Sequence, residues 1–224
     1  MENMLKRLNP DGWVSGRRSS IEDVYPAVRE IIDNVSVRGD EALFEYAKKF
    51  DGCEPESLFV SDDERDNAYE EVDSGLIECL IEAEARITEF HECQKREDLW
   101  LRQMHPGITL GIKTTPLKRA GCYIPGGRAS YPSTALMTVV PARVAGVRSI
   151  IACTPPPANP MTIAALDIAG VDEIVLAGGA QAIAAMALGT ESIEPVQKIV
   201  GPGNVYVTAA KMLLRGSAEI DFPA

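Results

Sequence analysis

The sequence predicts an α/β protein. A helical amino-terminal region and a β-hairpin are expected first, then a mainly parallel five-stranded sheet with helices on both faces. Three observations predict it. After Lys118, short apolar runs alternate with helix-forming stretches, and parallel strands need such crossovers. Three of the runs end in glycine turns: Cys122-Tyr123-Ile124-Pro125-Gly126-Gly127, Ile174-Val175-Leu176-Ala177-Gly178-Gly179 and Ile199-Val200-Gly201-Pro202-Gly203. Before Lys118 the apolar spacing is mostly helical, from residue 19 to residue 98.

The elements follow in order. Ser20 stands three residues before Asp23, a capping-box variant, and Val24, Val28, Ile31, Ile32 and Val35 follow at helical spacing. Pro26 is tolerated only in a first turn, so the regular helix should start near it. Gly39 should end that helix, with Asp40 capping a second that runs to Phe50 and closes at Asp51-Gly52. Ser61 with Glu64 is a capping box for a third. A longer fourth helix carries Leu76, Leu80, Ala83, Ile87 and Phe90 on one face and Glu82, Glu89 and Glu92 on the other. Such an acidic face is a solvated one. Leu99 to Met104 and Ile108 to Leu117, joined by His105-Pro106-Gly107, read as a hairpin.

The predicted strands are then Gly121–Ile124, Ser149–Cys153, Glu173–Ala177, Lys198–Val200 and Ala218–Phe222. The predicted helices between them are Ser133 to Val144, Pro160 to Ala169, Gln181 to Leu188 and Asn204 to Leu214, with Pro141 inside the first. The pattern divides the chain into residues 1–118, a helical region plus the β-hairpin, and residues 119–224, a Rossmann-like domain.

Composition narrows the class. The formal charge is -11, and 26 of the 33 acids fall in residues 1–110. An acidic first half argues against nucleic acid as a partner. The five cysteines are odd in number and widely spaced, which suits a reducing cytoplasm and neither a disulfide framework nor a zinc knuckle. No apolar run approaches the ~20 residues of a membrane span. A soluble, cytoplasmic protein is expected.

The glycine turns are the candidate binding rim, because ligands of parallel sheets lie at the carboxyl ends of the strands. Glycine permits positive φ and close approach of a ligand, and a helix starting there offers unpaired N–H groups. Tyr123 precedes the first turn and could stack on a base or fill core. Gln181 opens the helix after the second, where its carboxamide could donate and accept, or stand merely exposed. Asn204 opens the helix after the third, as ligand contact or ordinary N-cap. The usual dinucleotide fingerprint is absent: Gly201-Pro202-Gly203 lacks a third glycine, and Thr154-Pro155 stands where an acid would take the adenosine ribose. His91 and His105 are the only histidines and form no metal pair. A thiolate at Cys122 or Cys153 would have to arise on an apolar strand, where cysteine is usually inert.

The stretches GCYIPGGRASYPSTALM (121–137), GGAQAIAAMALGTES (178–192) and KIVGPGNVYVTAA (198–210) resemble histidinol dehydrogenases, as does Arg38-Gly39-Asp40-Glu41-Ala42-Leu43 in the acidic half. Asp221-Phe222-Pro223-Ala224 is similar to the start of a further family motif. The resemblance implies a zinc-dependent, NAD-linked oxidation of L-histidinol through the aldehyde to L-histidine, in a homodimer. It also implies Tyr123, Gln181 and Asn204 as NAD contacts. Family members run to about twice this length, and their zinc ligands, catalytic Glu–His pair and most histidinol contacts lie beyond the matched region, which implies that residues 1–118 are part of a domain completed by further chain. The chain is therefore expected to carry the cofactor part and to be inactive alone. The alternatives are a non-catalytic nucleotide-binding or assembly module, and an aldehyde dehydrogenase-like domain using Cys122.

Overall fold

The computed structural model describes residues 21–127 and 129–221. Seven strands and eight α-helices follow one another among these residues.

Helix α1 (Tyr25–Arg38) has Pro26 in its first turn and buries Val28, Ile31 and Val35. Its N-cap position is Val24, without a side-chain cap; Ser20 of the expected capping box lies outside the described residues. Gly39, with φ of 52°, ends α1. Helix α2 (Asp40–Tyr46) runs into a π-helical turn, Ala47–Asp51, closed by left-handed Gly52. Asp40 does not cap α2 with its own side chain. Its N–H donates instead to Glu191 Oε2, at 2.8 Å. Helix α3 (Asp62–Glu71) has the reciprocal Ser61/Glu64 capping box, and α4 (Ser74–Gln94) is capped by Asp73. Along α4, Leu80, Ala83 and Ile87 pack inward, whereas Leu76 and Phe90 are exposed.

Strands β1 (Leu99–His105) and β2 (Ile108–Lys113) form an antiparallel hairpin whose residues are all exposed. The chain then enters β3 (Arg119–Tyr123), α5 (Pro132–Val144), β4 (Ser149–Thr154), α6 (Pro160–Ala169), β5 (Glu173–Leu176), α7 (Gly179–Leu188), β6 (Lys198–Val200), α8 (Val205–Leu214) and β7 (Glu219–Ile220). The expected α/β alternation is present, with ends shifted by up to two residues. Helix α5 continues through Pro141. The five strands β3–β7 pair in parallel in the order β5-β4-β3-β6-β7. Residues 58–60 add an antiparallel edge to β5: the Val60 N–H donates to the Ile174 carbonyl at 2.9 Å and the Leu176 N–H to the Leu58 carbonyl at 2.7 Å.

Alternation along the strands splits the interior into two cores, as period-2 side chains require. Tyr123, Ile151, Cys153, Val175 and Ile199 face α1, α2, α7 and α8. Cys122, Ile150, Ala152, Ile174 and Leu176 face α3, α4, α5 and α6. Each fully buried Ile, Val or Leu contributes about 1.5–3 kcal/mol. The acidic first-half helices therefore form the outer layers on both faces. Arg65, which bonds Asp167 at 3.0 Å, ties α3 to α6, and the Tyr69 hydroxyl donates to the same carboxylate at 2.8 Å.

Candidate functional site

The strand order reverses at β3, because β4 and β5 build out on one side and β6 and β7 on the other. At such a switch point the loops after the flanking strands diverge and leave a crevice at their carboxyl ends. The loops in question follow Tyr123 and Val200.

Tyr123 is the last residue of β3 and is buried among core side chains, so its ring fills core. Its hydroxyl accepts the Gly179 N–H at 3.0 Å, which fastens the end of β3 to the first residue of α7. Burial chiefly pushes the phenol up to about 12; the charge of Asp51 adds to the rise. Gln181 stands two residues into α7 and is 3% exposed. Its carboxamide folds back over Gly179: a Cβ built there would meet Oε1 at 2.8 Å. Tyr123 and Gln181 thus converge on one glycine, which has φ of 60°.

The third turn packs on the same strand end. Gly201 has φ of 116°, and a Cβ there would collide with the Tyr123 carbonyl oxygen. Both main-chain polar groups of Gly201 are held by side chains. Its N–H donates to Asp221 Oδ2 at 2.7 Å, and its carbonyl accepts from Lys211 Nζ at 2.5 Å. Lys211 also reaches Asp221 Oδ1 at 2.5 Å. Three residues on, Asn204 caps α8, its Oδ1 accepting the N–H groups of Tyr206 at 3.0 Å and Val207 at 3.1 Å. Asn204 is exposed at the rim. Tyr123 and Gln181 are therefore brought to the same glycine, Gly179, and Asn204 is linked to the end of β3 through the Gly201 turn.

Chemically the rim offers the exposed Asn204 carboxamide and a glycine-lined approach, with the Gln181 carboxamide buried against Gly179 behind it. A nucleotide fits that set of groups. A resident zinc does not: among the described residues no three His, Cys, Asp or Glu side chains gather as a metal site. Nor does a thiolate, because burial pushes the Cys122 thiol up to about 12 and raises Cys153 as well. A buried thiol held protonated is not a nucleophile. Among the described residues no helix is long and apolar enough to cross a membrane.

Sequence reasoning did not single out Lys211. Its signal was present, since Lys211 stands among Val207, Ala210 and Leu214 on the buried face of α8.

The sequence profile of the histidinol dehydrogenase family matches residues 15–224. The chain is 51% identical over 212 residues to the histidinol dehydrogenase of Methanosarcina mazei, covering 93% of this chain and 49% of that one. It is 48% identical to that of Methanothermobacter thermautotrophicus, covering 94% and 50%. The crystal structure of histidinol dehydrogenase from Elizabethkingia anophelis superposes with a TM-score of 0.87 at 37% identity, over 94% of this chain and 51% of that one. The chain spans about half the length of the relatives it matches. The family profile and the similarity of the relatives over 93% and 94% of this chain agree, and the chain belongs to the histidinol dehydrogenase family of oxidoreductases.

Proposed function

We propose that this chain supplies the NAD-binding part of a histidinol dehydrogenase, with the cofactor at the carboxyl edge of the sheet against Tyr123, Gln181 and Asn204. The observation that carries the reading is the junction at Tyr123. Its hydroxyl holds the start of α7 and its main chain abuts Gly201, so the turns after β3, β5 and β6 act as one rim. In this reading Gln181 and the exposed Asn204 amide orient the nucleotide, while Tyr123 keeps Gly179 in register. NAD supplies the hydride acceptor for oxidation of L-histidinol, through the aldehyde, to L-histidine in the cytoplasm. Zinc and the proton-transfer groups belong to the remainder of the family's length, in a homodimer, and the chain alone is inactive.

Calorimetric titration of the 224-residue chain with NAD tests the proposal. The expected result is saturable binding that weakens at least tenfold in Gln181→Ala and in Asn204→Ala, both remaining folded by circular dichroism. Unchanged affinity in both variants, or no binding to the parent chain, overturns it. NADH formation from histidinol by the chain alone would overturn the statement that it is inactive by itself.

A further inference from the structure

The cofactor reading leaves one group unassigned. An ordinary dinucleotide fold ends its second strand with an acid that takes the ribose hydroxyls. Here that strand is β4, and it ends in Thr154 and Pro155. No carboxylate stands there.

One reaches the same edge from the first half of the chain. The start of helix α2 meets the segment just beyond the carboxyl end of α7, where the Asp40 N–H bonds Glu191. Twelve residues of helix and π-turn rise roughly 18 Å, about the length of α7. Tyr46, at the end of α2 and just before the turn Ala47–Asp51, is buried in the same core as Tyr123 and as Ala180 of the first turn of α7. The chain next runs antiparallel to β5 at residues 58–60, coming from the carboxyl edge. Asp51 is bracketed at that edge from both sides, and its charge is felt at the Tyr123 phenol.

One oxygen of the partly exposed Asp51 carboxylate is also unsatisfied. Oδ2 is buried and finds no hydrogen-bond partner among the described residues. A buried acceptor without a donor costs about 1–3 kcal/mol, more when charged, and calls for an explanation. A π-turn, rare and often found at functional sites, delivers it.

We propose that Asp51 accepts the adenosine ribose hydroxyls of the nucleotide, supplying from the π-turn the acid that β4 lacks, and that it thereby selects NAD over its 2′-phosphorylated form. The inference rests on the cofactor reading above and adds a specificity-determining residue to it. A carboxylate takes two charge-assisted hydrogen bonds from a 2′,3′-diol, and the same charge repels a 2′-phosphate.

The test compares NAD, NADP, AMP and 2′,3′-dideoxy-AMP by calorimetry on the 224-residue chain, its Asp51→Asn variant and Asn204→Ala. The parent chain is expected to bind NAD at least tenfold tighter than NADP, and AMP at least tenfold tighter than the dideoxy nucleotide. In Asp51→Asn both preferences should collapse. If Asn204→Ala weakens NAD while Asp51→Asn leaves both preferences intact, the inference fails and the cofactor reading stands. Equal affinity of the parent chain for AMP and its dideoxy analogue also overturns the inference, without relying on any variant folding. A parent chain that binds no nucleotide overturns both.

Discussion

Lys211 Nζ lies 2.5 Å from the Asp221 carboxylate, although Lys211 is only 3% exposed. The pair is a clamp. Between them the two side chains occupy both the N–H and the carbonyl of Gly201, and so fix the turn that leads to Asn204. Removing one partner of a buried ion pair leaves the other charge uncompensated. Lys211→Met is expected to lower unfolding stability by roughly 3 kcal/mol, the low end for such a loss because Asp221 is partly exposed. Urea unfolding checks this; a loss below about 1 kcal/mol would show that Asp221 is satisfied by solvent.

Gly201 and Gly216 form a matched pair. Their φ values are 116° and 117°, but only at Gly201 would a Cβ strike main chain; at Gly216 nothing lies within 4 Å. Gly216→Ala should therefore cost only the backbone preference, about 1–2 kcal/mol. Gly201→Ala should cost that plus displacement of the turn, about 4 kcal/mol or more. Thermal unfolding of the two variants side by side separates the contributions, and equal losses would remove the close approach of Gly201 to Tyr123 from the account.

Asn204 has two separable roles. Both capping bonds use Oδ1, so Asn204→Asp keeps the cap and removes the amide donor. Asn204→Ala removes both and is expected to lose about 1 kcal/mol of stability. The expected outcome is that Asp at this position preserves the unfolding midpoint yet weakens nucleotide binding nearly as much as Ala. Parent-like binding in Asn204→Asp would reduce Asn204 to an ordinary cap.

Burial alone pushes the Asp51 carboxyl up to about 6. The folded state then holds a proton that the unfolded chain releases near pH 3.9. The associated stability is fully present below that value and is lost as pH rises through about 6. Relative to Asp51→Asn, the parent chain should lose stability between pH 4 and roughly 6.5 and run parallel above it. Denaturant midpoints across that range give the measurement. Parallel curves throughout would mean that Asp51 is solvated at no cost to the fold.

Much of the sheet was legible because apolar runs such as Ile174-Val175-Leu176 are too short for a helix and end in glycine. Lys198–Val200 and Pro160–Ala169 fall at the bounds expected. Residues 58–60 could not be read, since a three-residue edge carries too little alternation to register. The π-turn was equally hidden, as a single widened turn keeps the apolar period of the helix it extends. Glu191 capping α2 was beyond reach: its partner lies 151 positions away, and nothing local marks a remote carboxylate as a cap. At the rim, the three side chains were legible as residue types following glycines. Their joining through Gly179 and Gly201 depends on strand order, which spacing along the chain does not encode.

The short antiparallel pairing at residues 58–60 also covers one margin of the sheet. A bare β5 would present a row of unsatisfied amides and carbonyls, a template onto which another chain could stack as an extra strand. With that margin covered, the other margin among the described residues is β7, only two residues long. Short edge strands and covered margins blunt edge-to-edge pairing, so the three residues serve as a guard against misassembly as well as a seam between layers.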